Sequence, residues 1–173
     1  MQLTASSPPS LEALAQQAAE QLKANSHTVA VAESSTGGLI SAALLAVPRA
    51  SAYYLGGSVI YTLPSRRHIL GIKRDDVAGL KPMTEEMVLP FARKAREQLD
   101  ATWGVAELGI AGPTGVRYDK SAPEIAAGSS VIAVTGPITL TSEVTTGHNN
   151  REQNMWEFAA AALSLLAKAC KQT

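Results

Sequence analysis

Thr28-Val29-Ala30-Val31-Ala32-Glu33-Ser34-Ser35-Thr36-Gly37-Gly38-Leu39-Ile40, the run TVAVAESSTGGLI over residues 28–40, decides how this chain is read. Thr28–Ala32 is short, apolar and rich in β-branched residues, which predicts a buried strand. Glu33–Gly38 is a polar turn with two glycines. Gly38 to about Ala46 is an almost wholly apolar run that predicts a buried helix. A strand feeding a helix through such a turn places three hydroxyls and a carboxylate at the helix N-terminus. Free backbone N–H groups and the positive end of the helix dipole make that position suitable for an anion or a developing oxyanion.

Elements of both kinds flank this unit. Ser10 caps an expected helix from Leu11 to about Asn25, whose Leu11, Leu14, Ala15, Ala18 and Leu22 share one face. Ala52–Tyr61 reads as a second strand, with Gly56-Gly57 marking a bulge or a close backbone approach. Pro64 opens a short helical turn that Gly71 stops. Thr84 caps a helix to Leu99 that Pro90 is placed to kink or divide. Trp103–Ile110 predicts a strand ending in a glycine-rich loop, Gly109–Gly115. Val116–Ala127 is polar and irregular, and Ser129–Val134 and Thr139–Thr145 form a hairpin across Thr135–Ile138. A last helix starts near Asn150, with Gln153 set to complete a capping pair and an apolar stripe of Met155, Ala159, Ala162, Leu163, Leu166 and Cys170. Interleaved strands and helices followed by a hairpin predict one α/β domain over residues 10–173: a three-layer α/β/α arrangement on a mixed sheet, with residues 1–9 as a flexible lead-in. Ligands of such sheets bind beyond the strand ends, where the turn at Ser34 and the loops at Gly112 and Arg151 are placed to converge.

The bulk properties remove several function classes. A chain of 173 residues with 46% hydrophobic residues and zero formal net charge builds an ordinary core, and it lacks the basic surface that nucleic acid demands. No apolar run reaches the roughly 18 residues of a membrane span. The N-terminus shows no secretory pattern, so a cytoplasmic location is expected. The single cysteine, Cys170, leaves no internal disulfide and no cysteine-based metal cluster. No cofactor or metal is expected, and the expected partner is a small molecule.

Glu33-Ser34-Ser35-Thr36-Gly37-Gly38 resembles the ES(C/S)TGG motif of the CinA C-terminal domain family. Gly56-Gly57, Tyr61, Leu70-Gly71, Gly109-Ile110-Ala111-Gly112-Pro113 and Asn150-Arg151 match that family's later motifs in the same order. The resemblance covers residues from about 11 to 170 and is to the stand-alone form of the domain. It implies an α/β/α domain that is often a homo-oligomer. It also implies an activity like that of nicotinamide mononucleotide deamidase, an amidohydrolase that needs no metal and acts on a phosphorylated, nucleotide-like amide.

Under that resemblance Ser34 matches the nucleophile, and the amides near Thr36–Gly38 are the expected oxyanion donors. Tyr61 matches the family tyrosine. Glu33, Ser35, Thr36, Gly37, Gly38, Gly112 and Arg151 are expected to contact substrate, with Arg151 placed to bind a phosphate. The family's catalytic lysine falls on Arg66, which cannot give up its proton. Tyr61, Glu33 and His68 are the candidate replacement bases. Leu108 stands where the family has threonine or serine, and Ile125-Ala126-Ala127-Gly128 replaces its KPVG. Three readings follow: an amidohydrolase acting through Ser34, a domain that binds a phosphorylated nucleotide-like molecule without hydrolysing it, or, between them, a hydrolase with a different base and substrate. His27 and His148 are read as structural, and the Met155/Trp156/Phe158 group as core or dimer interface.

Overall fold

The computed structural model describes residues 10–173, so the lead-in expected over residues 1–9 lies outside the described residues. The regular elements run α1 Leu11–Ala24, β1 Val29–Glu33, α2 Leu39–Ala46, β2 Tyr54–Val59, α3 Leu63–His68, α4 Glu85–Gln98, β3 Trp103–Ile110, β4 Ser129–Thr135, β5 Thr139–Thr145 and α5 Arg151–Cys170. The strands form one sheet in the order β2-β1-β3-β4-β5. β1 is parallel to β2 and β3, whereas β3/β4 and β4/β5 are antiparallel. This is the mixed sheet expected from the pattern.

The period-two alternation of the strands divides the core into two layers. Val29, Val31, Trp103, Val105, Ile132 and Val134 face α1, α2 and α5. Ala30, Ala32, Ala106, Leu108, Val131 and Ala133 face α4. The second set is mostly alanine, so α4 can lie unusually near the sheet. At Gly104 the approach is closest: a Cβ there would sit 2.0 Å from the Ala92 carbonyl oxygen. Side chains such as Phe91 and Phe158 are sealed on opposite faces, each contributing about 1.5–3 kcal/mol by leaving water.

Local signals account for the boundaries. Ser10, Thr84 and Asn150 cap α1, α4 and α5 by accepting from the amides of Ala13, Met87 and Gln153. The side chain of Gln153 does not return to its cap, however. It donates to Glu157 at 2.8 Å, the neighbour one turn ahead. Pro90 does not divide α4, whose continuous span includes it. The Glu86 carbonyl that it deprives of a donor belongs to an exposed residue, where water can replace the lost bond. At the glycine pair, β1 skips Leu55 in its register with β2, the bulge that Gly56-Gly57 announced. The apolar α2 is only half covered. Ile40, Ala43 and Leu44 face inward, but Leu45 is 55% exposed, because this short helix lies beside the edge strand β2.

The topology sets one edge of the sheet apart. β1, β2 and β3 are parallel and end there in Glu33, Val59 and Ile110. β4 starts there, and β5 ends there before the loop into α5. Segments far apart in sequence therefore converge on that edge.

Gly104→Val should lower unfolding stability by about 3 kcal/mol, since the added side chain meets α4 backbone with no room to move. Urea denaturation followed by circular dichroism checks this; an unchanged midpoint would show that α4 does not lean on β3 as described.

Candidate functional site

A cavity of about 390 Å³ opens at that sheet edge. Ser34 and Ser35 lie at its base after β1, Tyr61 and Arg66 come from the segment after β2, and Gly109–Gly112 follow β3. Arg151 enters from the first turn of α5, and Thr114, Val116 and Tyr118 close the remaining side. Ser34, Ser35, Tyr61, Arg66, Gly112 and Arg151 are thus brought together. Arg151 donates through Nη1 to the Gly112 carbonyl at 2.5 Å and through Nη2 to the Tyr61 hydroxyl at 3.2 Å. These bonds tie three walls to one guanidinium. Asn154, fully buried one turn further along α5, donates to the carbonyls of Ala111 and His148 and accepts from Thr146, which pins the same loops to the helix.

Four residues expected at the substrate are elsewhere. Glu33 is fully buried and does not line the cavity. Its carboxylate accepts from the amides of Gly38, Ile40 and Ser41 and from the hydroxyls of Thr36 and Ser41. It caps α2 from within the protein, and no lone pair faces a ligand. Thr36 is equally buried, Gly37 is exposed but outside the cavity, where a Cβ would meet the Met155 side chain, and Gly38 opens α2 in a left-handed conformation. The expected oxyanion donors are also committed. The Thr36 amide donates to Glu107, that of Gly37 to the Ser34 carbonyl, and that of Gly38 to Glu33. Along the turn, the one amide without a partner among the described residues is that of Ser35.

Of the candidate bases, His68 is exposed and outside the cavity, and Glu33 is occupied as described. Arg66 points its guanidinium over the Phe91 ring, 5.5 Å from the centroid, and its Nε donates to the Ile60 carbonyl at 3.3 Å. Burial pulls Arg66 below the usual arginine value, against the opposing influence of Tyr118 and Glu107. Arginine nevertheless remains a cation at neutral pH. Tyr118 is pushed up by burial and pulled back by Arg66. The Cys170 thiol is buried in the core and raised to about 12, so it is no nucleophile. Leu108 belongs to the α4-side core and does not face the cavity.

The residue the motifs did not single out is Glu107. It is fully buried in β3, in register with Glu33 of β1. Its Oε2 accepts from the amides of Ser34 and Thr36, each at 3.1 Å, and its Oε1 accepts from Ser35 Oγ at 2.5 Å. Ser130 Oγ stands 3.2 Å from the same Oε1. Thr36 Oγ1 lies between the two glutamates, 2.8 Å from Glu33 and 3.2 Å from Glu107, with one proton to share. Burial pushes the Glu107 carboxyl above the usual glutamate value, with the bonds from Ser35 and the turn amides opposing it. The signal in the sequence was alternation: Trp103, Val105 and Glu107 fall on one strand face, so a charged residue had to enter the core there. Gly109 completes the arrangement, since a Cβ would sit 2.2 Å from Ser35 Oγ and 2.5 Å from Glu107 Oε1.

The CinA C-terminal domain matches residues 11–170. A CinA-like protein of Prochlorococcus marinus (strain MIT 9313) is 40% identical over 126 residues, which cover 73% of this chain and 28% of that protein. A CinA-like protein of Desulfosudis oleivorans is 37% identical over 142 residues, covering 82% and 33% respectively. The chain thus spans about a third of the length of these curated relatives. A crystal structure of a competence/damage inducible protein from Agrobacterium tumefaciens superposes with a TM-score of 0.82 at 29% identity, covering 99% of this chain and 100% of that one. A CinA superfamily protein from Enterobacter cloacae gives 0.84 at 25% identity, with 98% of each chain covered. Among the described residues no helix is long and apolar enough to cross a membrane, and no group of three His, Cys, Asp or Glu side chains could hold a metal ion.

The raised Glu107 carboxyl has a consequence for stability. As pH rises, the unfolded chain loses this proton before the folded one does. The stability it contributes is therefore full below the ordinary glutamate value and is lost as pH rises through the folded value. Glu107→Gln has no such loss and keeps the size and polarity of the side chain. Calorimetric melting at about pH 4 and pH 8 should show the variant gaining on the wild type at the higher pH; a parallel pH dependence would contradict the assignment.

Proposed function

The chain belongs to the CinA C-terminal domain family, and on that premise we propose that its cavity binds a small phosphorylated, nucleotide-like amide and hydrolyses the amide bond with a serine of the Glu33–Gly38 turn. One observation carries this reading. Two serines and two arginines, Ser34, Ser35, Arg66 and Arg151, line one cavity that no acidic residue lines. Arginine presents a planar fork of donors that suits phosphate oxygens. An acyl group held by such an anchor would lie over the serines. The Ser35 amide, without another partner, offers a donor for the oxyanion. Nicotinamide mononucleotide, the substrate that the motif resemblance implies, combines a phosphate, a ribose and a ring amide. Self-association and a cytoplasmic location belong to the same reading.

Arg66 favours a second reading, in which the cavity binds the phosphorylated molecule and leaves it intact. An arginine at the position of the family's lysine strengthens anion binding while removing that route for proton transfer.

Incubation with nicotinamide mononucleotide and measurement of ammonia separates the two. Hydrolysis predicts release that falls at least about 100-fold in Ser34→Ala, the scale of one lost oxyanion or nucleophile group. Saturable binding by calorimetry without ammonia would sink hydrolysis of this substrate in favour of the second reading. Arg151→Ala should weaken mononucleotide binding by about 10-fold or more and weaken binding of the phosphate-free nucleoside, through the loosened walls alone, by clearly less; equal loss for both would remove Arg151 from the phosphate site.

A further inference from the structure

Arg66 leaves the turn without the proton acceptor that serine chemistry needs, and the cavity offers few replacements. The Ser34 hydroxyl has no hydrogen-bond partner among the described residues, so nothing is placed to take its proton. The Tyr61 hydroxyl accepts from Arg151, and the carboxylate of Glu33 is filled by α2. One hydroxyl in the cavity differs. Ser35 lines it, and its Oγ donates at 2.5 Å to a carboxylate.

We propose that Ser35 is the nucleophile of this site and Glu107 its general base, with the Ser35 amide and the Ser34 hydroxyl as the donors to the oxyanion. The proposal rests on the hydrolytic reading given above and deepens it. A nucleophile needs a base within hydrogen-bond reach and a third group that orients the base. Glu107 Oε2 is held by the amides of Ser34 and Thr36, which leaves Oε1 aimed at Ser35 with Ser130 alongside. Burial pushes the Glu107 carboxyl above the usual glutamate value, which strengthens its pull on the Ser35 proton. Gly109 adds a constraint of the same kind: any side chain there would occupy the space of the Ser35–Glu107 hydrogen bond. The other groups around Glu107 are uncharged apart from Glu33, in register on β1, and Arg66, whose charged form Glu107 favours against the pull of burial.

The chemistry balances without a further reactant besides water. Ser35 Oγ attacks the amide carbonyl carbon as its proton passes to Glu107 Oε1. Collapse of the tetrahedral adduct breaks the C–N bond, and the nitrogen takes that proton and leaves as ammonia. Water then attacks the acyl ester and gives a proton to Glu107. That proton returns to Ser35 Oγ as the ester bond breaks and the carboxylic acid departs.

The test uses a small alkyl fluorophosphonate, which reacts with an activated serine through loss of fluoride and needs no amide substrate. Wild-type protein should form one adduct, mapped by peptide mass spectrometry to Ser35. Ser35→Ala should form none. Glu107→Gln, checked for native folding by circular dichroism, should react at least about 100-fold more slowly, and Ser34→Ala should slow the reaction while leaving the adduct on Ser35. An adduct on Ser34, an unchanged rate in Glu107→Gln, or no adduct in the wild type would overturn the proposal. Adduct on Ser35 without ammonia from the mononucleotide would refute that substrate and leave the pair standing. Ammonia release lost in Ser34→Ala but kept in Ser35→Ala would do the reverse.

Discussion

Two carboxylates lie side by side in the core, Glu33 and Glu107, at paired positions of adjacent parallel strands. Burying charge is costly unless every lone pair finds a donor. The turn between β1 and α2 exists in its observed shape because it meets that demand. Glu33 takes the first amides of α2. Glu107 takes the amides of Ser34 and Thr36 and the hydroxyl of Ser35. Each peptide group thus tied down fixes a neighbour, and what is left without a partner along the turn, among the described residues, is a small set: the Ser34 hydroxyl and the Ser35 amide. The cavity chemistry is therefore a remainder of the internal hydrogen-bond balance.

The same constraint explains several features that look unrelated. Gly109 is needed beside Glu107 because nothing larger fits. Thr36 stands between the glutamates because a hydroxyl can serve either one. The loops opposite are held independently, by Arg151 reaching Gly112 and Tyr61 and by Asn154 reaching Ala111 and His148. The site thus has a rigid floor built on strands and walls pinned to α5. Loss of an α5 anchor would loosen the walls before it disturbed the floor.

Much of the fold was legible in the sequence. The strands at Trp103–Ile110 and Thr139–Thr145 and the caps at Ser10, Thr84 and Asn150 follow local rules that the surroundings reinforce. Departures arose where tertiary contacts decide. The apolar α2 reads as buried, but its place beside the edge strand leaves Leu45 in water. Gln153 reads as a capping partner, yet Glu157 competes for its amide. At the site, motif order gathered Ser34, Tyr61, Arg66 and Arg151 into one cavity, because parallel strands deliver their C-terminal ends to a common edge. Glu33 turns inward to cap α2 instead of facing a ligand, and no linear rule says which way a turn residue points. Glu107 belongs to no motif, and only the alternation of β3 places it on the core face beside Trp103 and Val105. Leu108, a departure from the family pattern, turned out to be core packing on the α4 face.

The central claim is that Glu107 is a buried carboxyl whose proton affinity is raised and which supplies what Arg66 cannot. Carbon-13 nuclear magnetic resonance of glutamate-labelled protein reads this directly, with the Glu107 carboxyl signal assigned by its absence in Glu107→Gln. The account predicts a titration midpoint above the ordinary glutamate value of 4.5. A midpoint at or below that value would make Glu107 a hydrogen-bonded anchor of the turn and nothing more.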